Sequence, residues 1–151
     1  MLYQTDPYQH RRHNKNLLMV HLIFVTKYRK PLFTGTFRED VKQSLYECCV
    51  QNHWYIKRME ADRDHIHILL QYNTTDSIAS IVRTLKQYST YKAWRAYSGS
   101  LKRHYWKKNV LWSGGYFAAS IWQVSQTTIE RYIEQQGVMQ NRPVKGRCFL
   151  L

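Results

Sequence analysis

Asp62-Arg63-Asp64-His65-Ile66-His67-Ile68-Leu69-Leu70 alternates as a half-buried strand does. His65 and His67 stand two residues apart, so both side chains leave the same face of the pleat, about 7 Å apart at the backbone. Ile66 and Ile68 take the opposite face. Two imidazoles side by side can converge on one metal ion, with Ile66 behind them in the core. The same spacing also suits two ordinary surface or satisfied histidines, so the pair alone leaves both readings open.

The rest of the chain narrows the choice. A length of 151 residues suggests one domain, long enough for a proper core. Lys plus Arg outnumber Asp plus Glu by 23 to 10, a formal charge of +13, which points to a polyanionic partner. Aromatics make up 15%, and rings interleaved with cations suit single-stranded nucleic acid, where bases stack. A membrane surface is the weaker fit. The plainer alternative is that the rings fill the core and the charge only confers solubility. Cys48, Cys49 and Cys148 are odd in number and form no Cys-x-x-Cys, which fits a reducing, cytoplasmic setting rather than a disulfide framework. Met1 to Asn16 has no apolar signal core, and no run approaches a membrane span.

Taken in order, residues 1–16 read as a flexible basic arm. Leu17 to Tyr28 reads as a central strand that Pro31 ends. Thr36-Phe37-Arg38-Glu39 has capping-box spacing and opens a helix that fades near Asn52. Trp54 to Ala61 forms a hairpin with the histidine strand through a turn at Asp62-Arg63. Asp76 or Ser77 caps a helix striped by Ile78, Ile81, Val82 and Leu85. Gly99 to Asn109 reads as a basic loop, and Leu111 to Trp122 as an interrupted strand. Ser125 caps a last helix through Gln136, with Gly137 at its C′ position and a tail over 138–151. Residues 17–137 therefore predict an α+β, ferredoxin-like (RRM-like) antiparallel sheet with helices on one face.

In the last helix, Ile129, Tyr132, Ile133 and Gln136 share a stripe, and Tyr132 and Gln136 are neighbours four apart. An inward glutamine needs a partner, which a metal ion or a backbone group could supply. A phenol is a competent nucleophile when a bound cation stabilises charge on the attacked group. Tyr132 is also one tyrosine among twelve, and spacing alone does not single it out.

The chain resembles the single-tyrosine HUH transposases of the insertion-sequence 200/605 type. Five blocks carry the resemblance, beginning with His21-Leu22-Ile23-Phe24-Val25-Thr26-Lys27-Tyr28-Arg29-Lys30-Pro31-Leu32-Phe33 and Asp64-His65-Ile66-His67-Ile68-Leu69-Leu70. Ser77-Ile78-Ala79 through Leu85-Lys86, Leu111-Trp112-Ser113-Gly114-Gly115-Tyr116-Phe117, and Thr128-Ile129-Glu130-Arg131-Tyr132-Ile133-Glu134-Gln135-Gln136 complete them. Arg63 and Gly114 stand where that family often has proline, at turn or loop positions.

The resemblance implies that His65, His67 and Gln136 bind one divalent metal and that Tyr132 attacks a phosphate of single-stranded DNA. The products would be a 5′-phosphotyrosine and a free 3′-OH. Mg²⁺ or Mn²⁺ is the expected cofactor, although two imidazoles also suit zinc. The ester conserves the bond's free energy, in keeping with the absence of a P-loop. The expected partners are transposon-end hairpins and a second copy of the chain, with no membrane. Lys27, Arg29, Lys30, Arg83, Lys86, Lys102, Arg103, Lys107 and Lys108 are the expected phosphate contacts, with Tyr105 and Trp106 as stacking rings. A domesticated nickase of repeat hairpins is an alternative within the same chemistry, and the short tail favours the autonomous transposase. A catalytically silent binder of single strands would not need Tyr132 or the metal. A small zinc hydrolase would need further Asp or His ligands beside the pair, and the sequence offers none there.

Overall fold

The structure, a computed structural model, describes residues 8–120 and 130–135. The central pair of strands is β3 (Leu18–Val25) and β5 (His65–Tyr72), antiparallel and in unbroken register from Leu18 opposite Tyr72 to Val25 opposite His65. Two short strands, β1 (Gln9–His10) and β2 (Lys15–Asn16), precede them, and β4 (Tyr55–Ala61) and β6 (Phe117–Ala119) flank them. The four-stranded sheet has the order β4-β5-β3-β6. With α1 (Gly35–Gln51) and α2 (Ile78–Lys102) as the crossovers, this is the ferredoxin-like arrangement.

Both helices cover one face of the sheet. Val20, Leu22 and Phe24 of β3 and Ile66, Ile68 and Leu70 of β5 are buried there against Val41, Leu45, Ile81 and Leu85 of the helices. Each such aliphatic side chain contributes about 1.5–3 kcal/mol by leaving water. The period-2 pattern sends Ile23, Val25, His65 and His67 to the other face. Residues 130–135 are helical. Their Ile133 is buried with Ile23, Val25 and Phe117 in a second, smaller cluster.

Several elements differ from the sequence reading. Residues 9–16, read as a loose arm, form a two-stranded ribbon, and Arg11 donates to Asn73 Oδ1 at 2.6 Å. Helix α1 does not use the capping box. Gly35, at φ +54°, turns the chain into the helix, and Thr34 occupies the cap position without a side-chain bond. Ser77, not Asp76, caps α2 by accepting from the Ser80 N–H at 3.1 Å. Asp76 instead accepts from the Trp54 indole at 2.9 Å.

Helix α2 runs through Gly99 to Lys102, where a loop was expected, with a kink at Tyr97. Burial of Leu101 and then Tyr105 explains why local propensity loses here. Among the described residues, the segment from Leu111 joins the sheet at Phe117–Ala119 and through a single bridge between Thr26 and Trp112. The Lys86 ammonium holds the intervening carbonyls of Ser113 and Gly115 at 2.8 and 2.7 Å.

Trp112 locks this segment to the core. It lies edge-on to Phe24, tilts against Phe33, and donates its indole N–H to buried Ser89 Oγ at 2.9 Å. Trp112→Ala should cost about 3–5 kcal/mol in urea melts, and Trp112→Phe about 1 kcal/mol, the worth of the lost hydrogen bond. Equal losses would show that the hydrogen bond, not the ring, dominates.

Burial pushes the Cys48 thiol up to about 11. Burial, with Cys48 beside it, pushes Cys49 to about 12. In a Cys148→Ser background at pH 8, neither should react with iodoacetamide until urea unfolds the chain. Labelling of the native protein would contradict this placement.

Candidate active site

Strand β5 delivers His65 and His67 to the face that α1 and α2 leave uncovered. Across the ladder, His65 faces Val25 and His67 faces Ile23 on β3, and Glu60 of β4 faces His67 from the other side. Ile66, fully buried, anchors the strand from behind.

Each histidine has one ring nitrogen engaged. His65 Nδ1 lies 2.9 Å from Asp64 Oδ1. Partial burial raises the Asp64 pKa, but the hydrogen bond to His65 and the Arg29 guanidinium outweigh it and leave the carboxyl below its ordinary value. An ionised carboxylate only accepts, so Nδ1 carries a proton, and in the neutral ring His65 Nε2 presents a lone pair. His67 Nε2 lies 3.0 Å from Nδ1 of His21, on β3. Desolvation lowers the His67 pKa, and the neighbouring His21 imidazole adds to the shift while Glu60 opposes it. A half-buried, neutral imidazole is the form a metal ion requires.

Asp64 is itself held by a strained turn. Tyr28 and Arg29 have φ of 60° and 50°, the left-handed region that bulky residues avoid at a cost of roughly 1–2 kcal/mol each. The turn is tied at several points. Thr26 Oγ donates to Lys30 O at 2.7 Å, Lys27 N donates to Leu111 O at 2.8 Å, and the Tyr105 hydroxyl donates to Lys27 O at 2.7 Å. Its result is to aim Arg29 Nε at Asp64 Oδ2, 3.0 Å away.

Among the described residues, no group of three or more His, Cys, Asp or Glu is placed to hold a metal ion. A site built on His65 and His67 therefore needs another kind of donor. Gln136, the expected third ligand, lies outside the described residues. Tyr132 is described. Its half-buried ring lies 5.6 Å from that of Phe117, beside Ile133 on the sheet face that carries the histidines.

The comparisons with known proteins agree with this fold. The family model "Transposase IS200 like" matches residues 14–136. The chain belongs to the IS200-like transposase family. It is similar to the ISDra2 transposase TnpA of Deinococcus radiodurans, 32% identical over 119 residues, covering 79% of this chain and 84% of that one. It is also 30% identical over 116 residues to the transposase for insertion sequence element IS200 of Salmonella typhimurium, covering 77% of this chain and 74% of that one. A crystal structure of a transposase candidate from Deinococcus radiodurans R1 superposes with a TM-score of 0.78 at 27% identity, covering 85% of this chain and 97% of that one. A REP-associated tyrosine transposase bound to a REP hairpin shares the fold, with a TM-score of 0.51 at 12% identity over 83% of this chain and 68% of its own.

For this family member the predicted DNA contacts divide into three groups. Arg83, Lys102, Arg103, Lys107 and Lys108 are exposed, and Trp106 is 76% exposed. Lys27, Arg29 and Lys30 are half-buried, with Arg29 paired to Asp64. Tyr105 and Lys86 do not fit the role. Tyr105 is 4% exposed and its hydroxyl is spent on the Lys27 carbonyl, so no base can stack on it. The Lys86 ammonium is held by two carbonyls and lies over the Phe24 ring, 5.4 Å from its centroid. Sequence reasoning also left His21 and Asp64 without a role. The strand register brings His21 to His67, 46 residues away, while Asp64 is the chain neighbour of His65 and the turn adds Arg29 to it.

Trp106→Ala should weaken binding of an oligodeoxynucleotide by the roughly 1–3 kcal/mol of one stacked base, with the urea midpoint unchanged. Tyr105→Phe should do the reverse, leaving binding intact and lowering stability by about 1 kcal/mol. Fluorescence anisotropy beside urea melts separates the two.

Proposed function

We propose that the chain cleaves and rejoins single-stranded DNA at transposon-end hairpins, with Tyr132 as the nucleophile. One observation supports this reading above the others: the two histidines and the helical turn bearing Tyr132 share one face of the sheet. The donor set fits a divalent ion, since His65 presents Nε2 and the environment of His67 favours its neutral form. His65, His67 and Gln136 would hold Mg²⁺ or Mn²⁺, which when bound polarises the scissile phosphate and stabilises the leaving oxygen.

The Tyr132 hydroxyl loses its proton as its oxygen bonds to phosphorus. The P–O3′ bond breaks, and the departing 3′ oxygen takes up a proton. The products are a 5′-phosphotyrosine and a 3′-OH. Attack by another 3′-OH on the same phosphorus reforms a phosphodiester and frees Tyr132, with no nucleotide cofactor. The exposed cations at 102–108, with Trp106, suit a single strand held by phosphate contacts and stacking. A hairpin substrate is supported by the REP-associated neighbour, which is bound to one. The family resemblance supports a homodimer. In this chain the turn bearing Tyr132 docks on its own sheet.

The test is a denaturing gel with labelled hairpin DNA from the element's ends and Mg²⁺ or Mn²⁺. Wild type should give a covalent protein–DNA band and a free 3′ end. Tyr132→Phe should give neither, and His67→Ala should lose at least 100-fold in rate (on the order of 3 kcal/mol). Cleavage by Tyr132→Phe at the wild-type rate would remove Tyr132 from the mechanism and point to water as nucleophile.

A further inference from the structure

His21 lies one strand away from the histidine pair, on the same face, where it pairs with Leu69 of β5 and Ala119 of β6. Its ring and that of His67 have centroids 5.2 Å apart and planes tilted by 38°, with Nδ1 of one 3.0 Å from Nε2 of the other. Only one nitrogen of that contact carries the shared hydrogen. If His21 donated, neutral His67 would carry its own hydrogen on Nδ1 and offer no lone pair while the contact stood. If His67 donates from Nε2, its Nδ1 lone pair is free and its ring is fixed.

We infer that His21 is a positioning residue for the metal site: its Nδ1 accepts from His67 Nε2–H and holds His67 with Nδ1 ready to ligate. The inference rests on the metal-assisted reading above. Asp64 stands in the same relation to His65, accepting from Nδ1 and leaving Nε2 free. The two ligands would thus be oriented by unlike partners through opposite nitrogens, one from the turn preceding β5 and one from the neighbouring strand. Partners of this kind typically change metal affinity 10–100-fold when removed.

Two measurements test it. In metal-free protein, long-range ¹H–¹⁵N correlation spectra should show His67 in the Nε2–H form, with loss of that preference in His21→Ala. This readout does not depend on the metal. By titration calorimetry with Mn²⁺, His21→Ala should bind roughly 10–100-fold more weakly than wild type. His21→Asn, whose amide oxygen can accept at the Nδ1 position, should recover most of the affinity. Urea melts of each variant keep a folding defect apart from a binding one. An Nδ1–H tautomer at His67 in wild type, or unchanged or tighter Mn²⁺ binding in a folded His21→Ala, overturns the inference. A correct tautomer in a wild type that binds no Mn²⁺ instead fails the metal reading, and the positioning role falls with it.

Discussion

The register between β3 and β5 is the constraint on which the remainder depends. Eight consecutive pairs place Val25 against His65 and Ile23 against His67. A slip by one residue would send Ile66, Ile68 and Leu70 to the uncovered face and drive the histidines into the core. Burial of those aliphatic chains against α1 and α2 thus fixes where the imidazoles point. The histidine face is a by-product of the hydrophobic face, and the two cannot be varied separately.

The same coupling continues in the electrostatics. Arg29 reaches Asp64 because two residues accept left-handed backbone, and the turn keeps that conformation because Thr26, Leu111 and Tyr105 hold it. Asp64 then fixes one nitrogen of His65. A residue far along the chain, Tyr105, therefore acts on the site through backbone shape alone. Its burial raises its hydroxyl pKa, so it remains a neutral donor to the Lys27 carbonyl. Such strain persists only where surrounding bonds over-determine it, as they do here.

Much of this was legible in the sequence because it rests on periodicity. The alternation around Ile66 and Ile68 and the Ile78–Leu85 stripe led to the right elements and the right fold. What was not legible depended on side chains that meet across the fold. Lys86 and Tyr105 look like surface cations and rings in a basic, aromatic stretch, yet each finds carbonyl partners distant in sequence. Gly99 looks like a helix stop, but packing of Leu101 outweighs roughly 1 kcal/mol of propensity. His21 heads a block that carries the resemblance, but nothing local pointed to His67, which lies 46 residues away.

The proposed nucleophile and the proposed metal ligands are held to the sheet by different clusters. His65 and His67 are borne on a central strand, paired on both edges and backed by the main core. Among the described residues, the turn bearing Tyr132 joins the sheet through Ile133, buried against Ile23, Val25 and Phe117, with the Tyr132 ring beside Phe117. One buried isoleucine is worth about 1.5–3 kcal/mol, and the aromatic pair adds about 0.5–1.5. These contacts put the Tyr132 ring on the face that carries the histidines, so Ile23, Val25 and Phe117 place the phenol there while Ile66 and Ile68, on the opposite face, place the imidazoles.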